Sequence, residues 1–183
     1  MGLKMELFYE NAMTISNNEI LVKTYFEIFN YMIQKDLSGA CHPISTLLHI
    51  LLNEQSIKSE LCIGETAYPD GICFDHSWVT IDGKIYDIAV VGALPITSPP
   101  VFKDIDLETK NRTILIYGFK SDIKDNLGAK LAKETSFNDW MDGYPHHENG
   151  LWGVVDEIGK KIGFTSDIKL LKEKYKDTQR KIY

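Results

Sequence analysis

The chain has 183 residues, 44% of them apolar and 25% charged, which is enough for one domain with a proper hydrophobic core. A formal net charge of −6 and a pI near 5.4 argue against a nucleic-acid partner, which calls for a basic face. No run of about 18 apolar residues occurs, so no membrane span is expected. The opening residues, Met1 to Glu6, lack the charged-then-apolar pattern of a secretory signal, and Glu6 stands where a myristoylation motif after Gly2 wants Ser or Thr. Three cysteines, an odd number, read as free thiols in a reducing compartment, and the expected location is cytoplasmic.

Ile20, Leu21, Tyr25, Ile28, Phe29 and Met32 recur at helical spacing and predict an amphipathic helix over 18–35, capped by Asn17 or Asn18. A second helix is expected over 43–54, with Pro43 in its first turn. Leu47, Leu48, Ile50, Leu51 and Leu52 surround most of its circumference, the pattern of a buried helix. Strands are then predicted at 59–66, 72–81, 84–91 and 112–119. Tyr68-Pro69-Asp70-Gly71 and Asp82-Gly83 are the turns of an antiparallel meander. Residues 92–111, with Pro95, Pro99 and Pro100, read as an irregular surface excursion. The last third is read as helical, with helices near 125–134, 150–162 and 166–178, and Gly163 ending the second. Residues 137–147 form an aromatic loop between them, and the charged tail 172–181 is expected to fray. The tetrapeptide Ser-Asp-Ile-Lys occurs at 121–124 and 166–169, with helix-opening chemistry at both places. The class is α+β.

Three residues in this frame carry chemistry. Cys41 precedes the buried helix, His76 lies in a strand and Asp87 lies in the next strand. A thiol, an imidazole and a carboxylate are the parts of a cysteine nucleophile with its base and orienter. With Asp82-Gly83 as a two-residue hairpin turn, Ile81 faces Lys84, Trp78 faces Asp87 and His76 faces Ala89. Asp87 is then the diagonal neighbour of His76 on one sheet face, roughly 7–8 Å away between backbones. A bulge or a three-residue loop would turn Asp87 to the other face. At a helix start, backbone N–H groups favour the Cys41 thiolate and offer hydrogen bonds to an oxyanion.

Other residues have plainer readings. His42 is read as a solvated loop residue. Cys62 and Cys73 are read as packing residues, with Cys73 facing Thr66 rather than Cys62. His146 and His147 with Glu148 offer metal-binding atoms but match no strong zinc spacing, so a solvated loop is expected. Trp78, Trp140, Tyr144 and Trp152 either wall a substrate groove or fill the core.

Gly39-Ala40-Cys41 before a leucine-rich helix, Gly64 in a strand, His76-Ser77-Trp78-Val79 and Tyr86-Asp87-Ile88 together resemble the transglutaminase-like superfamily, which includes the arylamine N-acetyltransferases and belongs to the papain-like fold. The resemblance covers roughly residues 36–91. It implies one domain over 1–183, with a core at 18–120, the nucleophile helix packed on the antiparallel meander and a helical extension at 121–183. It also implies that Cys41 is the nucleophile, His76 the general base and acid, and Asp87 the orienter. Gln34 is then a candidate oxyanion donor and Trp78 a candidate groove wall. The implied activity is that of a cysteine protease, amidase or acyltransferase acting on an amide or ester of a peptide, protein or small molecule, without metal or cofactor. His42-Pro43 follows the nucleophile where relatives often carry aromatic or small residues. That departure motivates the alternative of a catalytically inactive binding module. A metal-binding regulator built on Cys62, Cys73, His76 or the His146-His147 pair is a third reading.

Overall fold

The computed structural model describes residues 2–93, 96–120 and 125–183. Asn18 takes the cap of helix α2 (Glu19–Gln34), its side chain accepting from the Leu21 N–H at 3.0 Å. Before it lies a helix that the sequence reading did not assign, α1 (Gly2–Ile15). Phe8 and Ala12 of α1 are buried, and Asn11 Nδ2 donates to the Leu107 carbonyl at 2.8 Å. The core therefore extends ahead of residue 18. Helix α3 (Cys41–Glu54) starts two residues before Pro43. It packs against α2, against strand β2 (Cys73–Ile81) and against α6 (Gly150–Ile162). This explains why Ile44 and every residue from Leu47 to Leu52 is buried. Each fully buried leucine here stabilises the fold by about 1.5–3 kcal/mol.

Strand β1 (Glu60–Ala67) pairs antiparallel with β2, which pairs with β3 (Lys84–Asp87). The expected β2–β3 register is observed, with Ile81 opposite Lys84, Thr80 opposite Ile85 and Val79 opposite Tyr86. Asp82 and Gly83 both have positive φ, as a two-residue hairpin turn of this hand requires. The predicted strand 84–91 stops early. At Asp87 the chain leaves the β2 ladder, and residues Ala89–Gly92 form a short 3-10 helix. Asp87 causes the turn itself, its Oδ1 accepting the Val90 N–H at 3.2 Å.

The excursion at 92–111, of which residues 94–95 lie outside the described set, contains a small hairpin of β4 (Val101–Phe102) and β5 (Ile105–Asp106). Its turn, Lys103-Asp104, also has two positive φ angles but no glycine to announce them. The Asp104 carboxylate supplies the compensation, accepting from the Ile85 N–H at 2.8 Å and pairing with Lys84 at 2.9 Å. The sheet order is β5-β4-β3-β2-β1-β6, where β6 is Ile116–Phe119. The β1–β2 loop is one residue out from expectation. Tyr68 N–H donates to the Ile72 carbonyl, Gly71 takes a left-handed φ, and Cys73 therefore faces Ala67 instead of Thr66.

The last third adds α4 (Leu127–Glu134), α5 (Phe137–Asp142), α6 and α7 (Ile168–Tyr175). Part of the expected aromatic loop is thus helix α5. Gly163 ends α6 in a left-handed conformation, as read from the sequence. The second Ser-Asp-Ile-Lys copy opens α7, with Asp167 accepting from the Lys169 N–H at 2.7 Å; the first copy lies outside the described residues. Leu151, Trp152, Val154, Val155 and Ile158 of α6 join the same core as α2 and α3, so this third is not a separate layer. The tail does not fray. Arg180 stacks 4.5 Å over the Trp140 ring and donates to the Ala132 carbonyl at 2.7 Å, and β7 (Lys181–Ile182) pairs parallel to β1. No helix among the described residues is long and apolar enough to cross a membrane.

Gly150 starts α6 with φ +59, and a Cβ there would meet the Met141 carbonyl oxygen and the Asp142 backbone. Gly150→Ala is expected to cost at least about 2 kcal/mol of stability in urea unfolding. An unchanged midpoint would mean that this junction relaxes freely.

Candidate active site

Helix α3 and the sheet bring the three sequence-predicted residues to one place. His76 Nε2 and Asp87 Oδ2 are 2.6 Å apart, and both side chains are almost wholly buried. Their pairing across the β2–β3 hairpin follows from the register, although the ladder itself ends at Val79 and Tyr86. Asp87 is held from three sides. Tyr117 Oη donates to Oδ2 at 2.8 Å, Val90 N–H donates to Oδ1, and Tyr25 Oη donates to the Asp87 backbone carbonyl at 3.0 Å. Burial, followed by the Asp87 charge, raises the pKa of both phenols well above the ordinary value, so each remains a neutral donor. The His76 ring is also fixed, stacked 15° from the Trp78 plane and edge-on to Phe74. With Nε2 committed to Asp87, Nδ1 is the nitrogen left for the thiol.

Cys41 stands half-buried at the first position of α3, and no side chain caps this helix start. Burial pushes its thiol pKa up, but hydrogen bonding and charge from His42 and His76 outweigh burial and bring it down to about 5. Burial alone would push the His76 pKa down. The Asp87 charge and hydrogen bond, joined by the thiol, instead raise it to about 10. Between those values the site holds a thiolate beside an imidazolium.

His42 differs most from the sequence reading. It is 7% exposed rather than solvated, and its Nδ1 lies 2.7 Å from Ser77 Oγ. Ser77 is wholly buried and also anchors α3, its carbonyl accepting from Ser45 Oγ at 2.7 Å. In the sequence His42 directly follows Cys41. Only the helix starting at Cys41 instead of Pro43 turns its ring inward. Tyr117 was also missed, because its strand pairs with β1 and its approach to Asp87 is purely tertiary.

A cleft of about 240 Å³ opens beside Cys41, bordered by His76, Phe74, Ala89 and Asn126. A second hollow of about 660 Å³ is lined by Pro43, Leu131, Trp140, Tyr144 and His146. Gly39, His42 and Gly128 border both, so the two hollows meet beside Cys41. Trp140 and Tyr144 thus wall a groove, whereas Trp152 and Trp78 are core, 0% and 1% exposed. Gln34 is exposed at the end of α2 and lines neither hollow, so it is not placed to serve as the oxyanion donor. His147 packs over Gly153, and its Nδ1 accepts from the Asn149 N–H at 3.0 Å. Among the described residues no three His, Cys, Asp or Glu side chains are arranged to hold a metal. Hollows beside α1 and α2, about 260 and 600 Å³, contain no cysteine or histidine. No family model, curated protein or solved structure matches the chain.

Proposed function

We propose that this protein is a thiol-dependent acyl-transfer enzyme, a cysteine hydrolase or acyltransferase of the transglutaminase-like, papain-like kind. The observation that carries this reading is the buried His76–Asp87 pair at 2.6 Å, set beside a thiol at the start of a buried helix. In this reading the Cys41 thiolate attacks an amide or ester carbonyl. A tetrahedral oxyanion forms near the first-turn N–H groups of α3. His76, holding a proton on Nδ1, gives it to the leaving group, and the acyl-enzyme passes to water or another nucleophile. Asp87 fixes the ring and its charged form. The substrate lies across Gly39 and His42, one end in the small cleft and the other, with an apolar group, against Trp140 and Tyr144. A peptide, protein or small-molecule amide or ester fits this layout.

The test uses p-nitrophenyl acetate as an activated ester. Mass spectrometry is expected to find an acetyl group on the peptide containing Cys41, and no acetylation there in Cys41→Ala, with p-nitrophenol release falling to background. Equal release by the Cys41→Ala protein would sink the reading.

A further inference from the structure

Gln34, the oxyanion donor expected from the sequence, stands away from Cys41. We propose that His42 fills that place, its Nε2–H donating to the oxyanion formed on the substrate carbonyl. This rests on the acyl-transfer reading above.

Four observations support it. The ring is buried, follows Cys41 in the chain and borders the same cleft. Its Nδ1 is occupied by Ser77 Oγ at 2.7 Å, which leaves Nε2 as the nitrogen available to a substrate. The Cδ2–Nε2 edge faces Gly128 at the mouth of the site, where an added Cβ would come within 3.5 and 3.6 Å of those atoms. Among the described residues, His42 is the only ionisable one that borders both hollows. A carbonyl bound across their junction and attacked by Cys41 lies against this ring.

The hydrogen-bond geometry supplies the donor. Nδ1 is engaged by the Ser77 hydroxyl, which can donate as well as accept, so a proton on Nε2 is compatible with that contact. Such a donor is preorganised, because the ring does not need to turn when charge develops. In the step itself the thiolate sulfur bonds to the carbonyl carbon and the C=O π pair moves onto oxygen. That oxygen accepts from Nε2–H while the proton stays on nitrogen. Collapse restores the carbonyl and expels the leaving group, which takes its proton from His76.

Two reagents separate this role from simple activation of the thiol. Iodoacetamide alkylates Cys41 by displacement at a tetrahedral carbon and forms no oxyanion, whereas p-nitrophenyl acetate must form one. The quantity to follow is the ratio of acylation rate to alkylation rate at one pH. His42→Leu is expected to lower that ratio about 10²-fold, the usual loss for one oxyanion donor. His42→Gln, whose amide nitrogen reaches toward the Nε2 position, is expected to recover part of it. If His42→Leu does not fold, Ser77→Ala carries the same test, because it keeps the ring and removes the group that engages Nδ1. A wild-type protein that acylates, with an unchanged ratio in the folded variants, overturns this inference alone. A wild type that alkylates readily but never acylates overturns the acyl-transfer reading and this inference with it.

Discussion

Replacing His76 by alanine is expected to slow acylation of Cys41 by about 10²–10⁴-fold, the usual contribution of a positioned acid–base group. It is also expected to move the titration of the thiol. In the wild type, iodoacetamide should react with Cys41 at a rate that rises with pH through about 5, because two imidazoles favour the thiolate against burial. His76→Ala removes one of them and leaves the burial, so the midpoint should climb. The sign is fixed by the charge: losing a cation beside an acid raises the acid's pKa. Turnover in the wild type should fall again near pH 10, where His76 gives up the proton needed by the leaving group. Rates of alkylation against pH, assigned to Cys41 by peptide mass spectrometry, check this. Superimposable titrations in wild type and His76→Ala would show that the two residues are not coupled.

The meeting of His76 and Asp87 was legible because it depends on local rules. Asp82-Gly83 dictates a two-residue turn, the turn sets the register of Lys84 to Tyr86, and Asp87 follows directly, within reach of His76. The buried character of α3 was legible in the same way, from leucines on every side. What escaped has a different physical origin. Lys103-Asp104 makes its turn through a carboxylate bonded to a neighbouring strand, with no glycine, so the β4–β5 hairpin leaves no turn signature. Helix α1 has no clean apolar stripe, and it is held by a few contacts such as Asn11 to the Leu107 carbonyl. The tail is densely charged and reads as solvated. It docks because Arg180 finds the Trp140 face and a free carbonyl on α4. His42 escaped for the smallest reason. Starting a helix two residues earlier turned a loop side chain into a buried one, and helix ends are where sequence patterns constrain least.

Asp87→Ala is expected to destabilise the protein by about 3–5 kcal/mol at pH 7, because it leaves His76 buried without its counter-charge. The Tyr117 hydroxyl and the Val90 N–H lose their acceptor in the same change. The pH dependence identifies the cause. His76 is raised from 6.5 to about 10 in the folded protein. A base with a raised folded pKa stabilises fully below its unfolded value, and this stabilisation is lost as pH rises through the folded value. The Asp87 charge is the largest contribution that opposes burial there. The gap between wild type and Asp87→Ala should therefore be widest near pH 6–7 and shrink as the pH approaches 10. Asp87→Asn keeps an acceptor for Tyr117 and for His76 Nε2 while removing the charge, so it should fold better than Asp87→Ala yet show the same shrinking gap. It should also raise the midpoint of Cys41 alkylation, because a less charged His76 supports the thiolate less. Urea unfolding of the three proteins between pH 6 and 10 measures this. A gap that stays constant with pH would assign Asp87 a packing role and remove electrostatics as the reason for its burial.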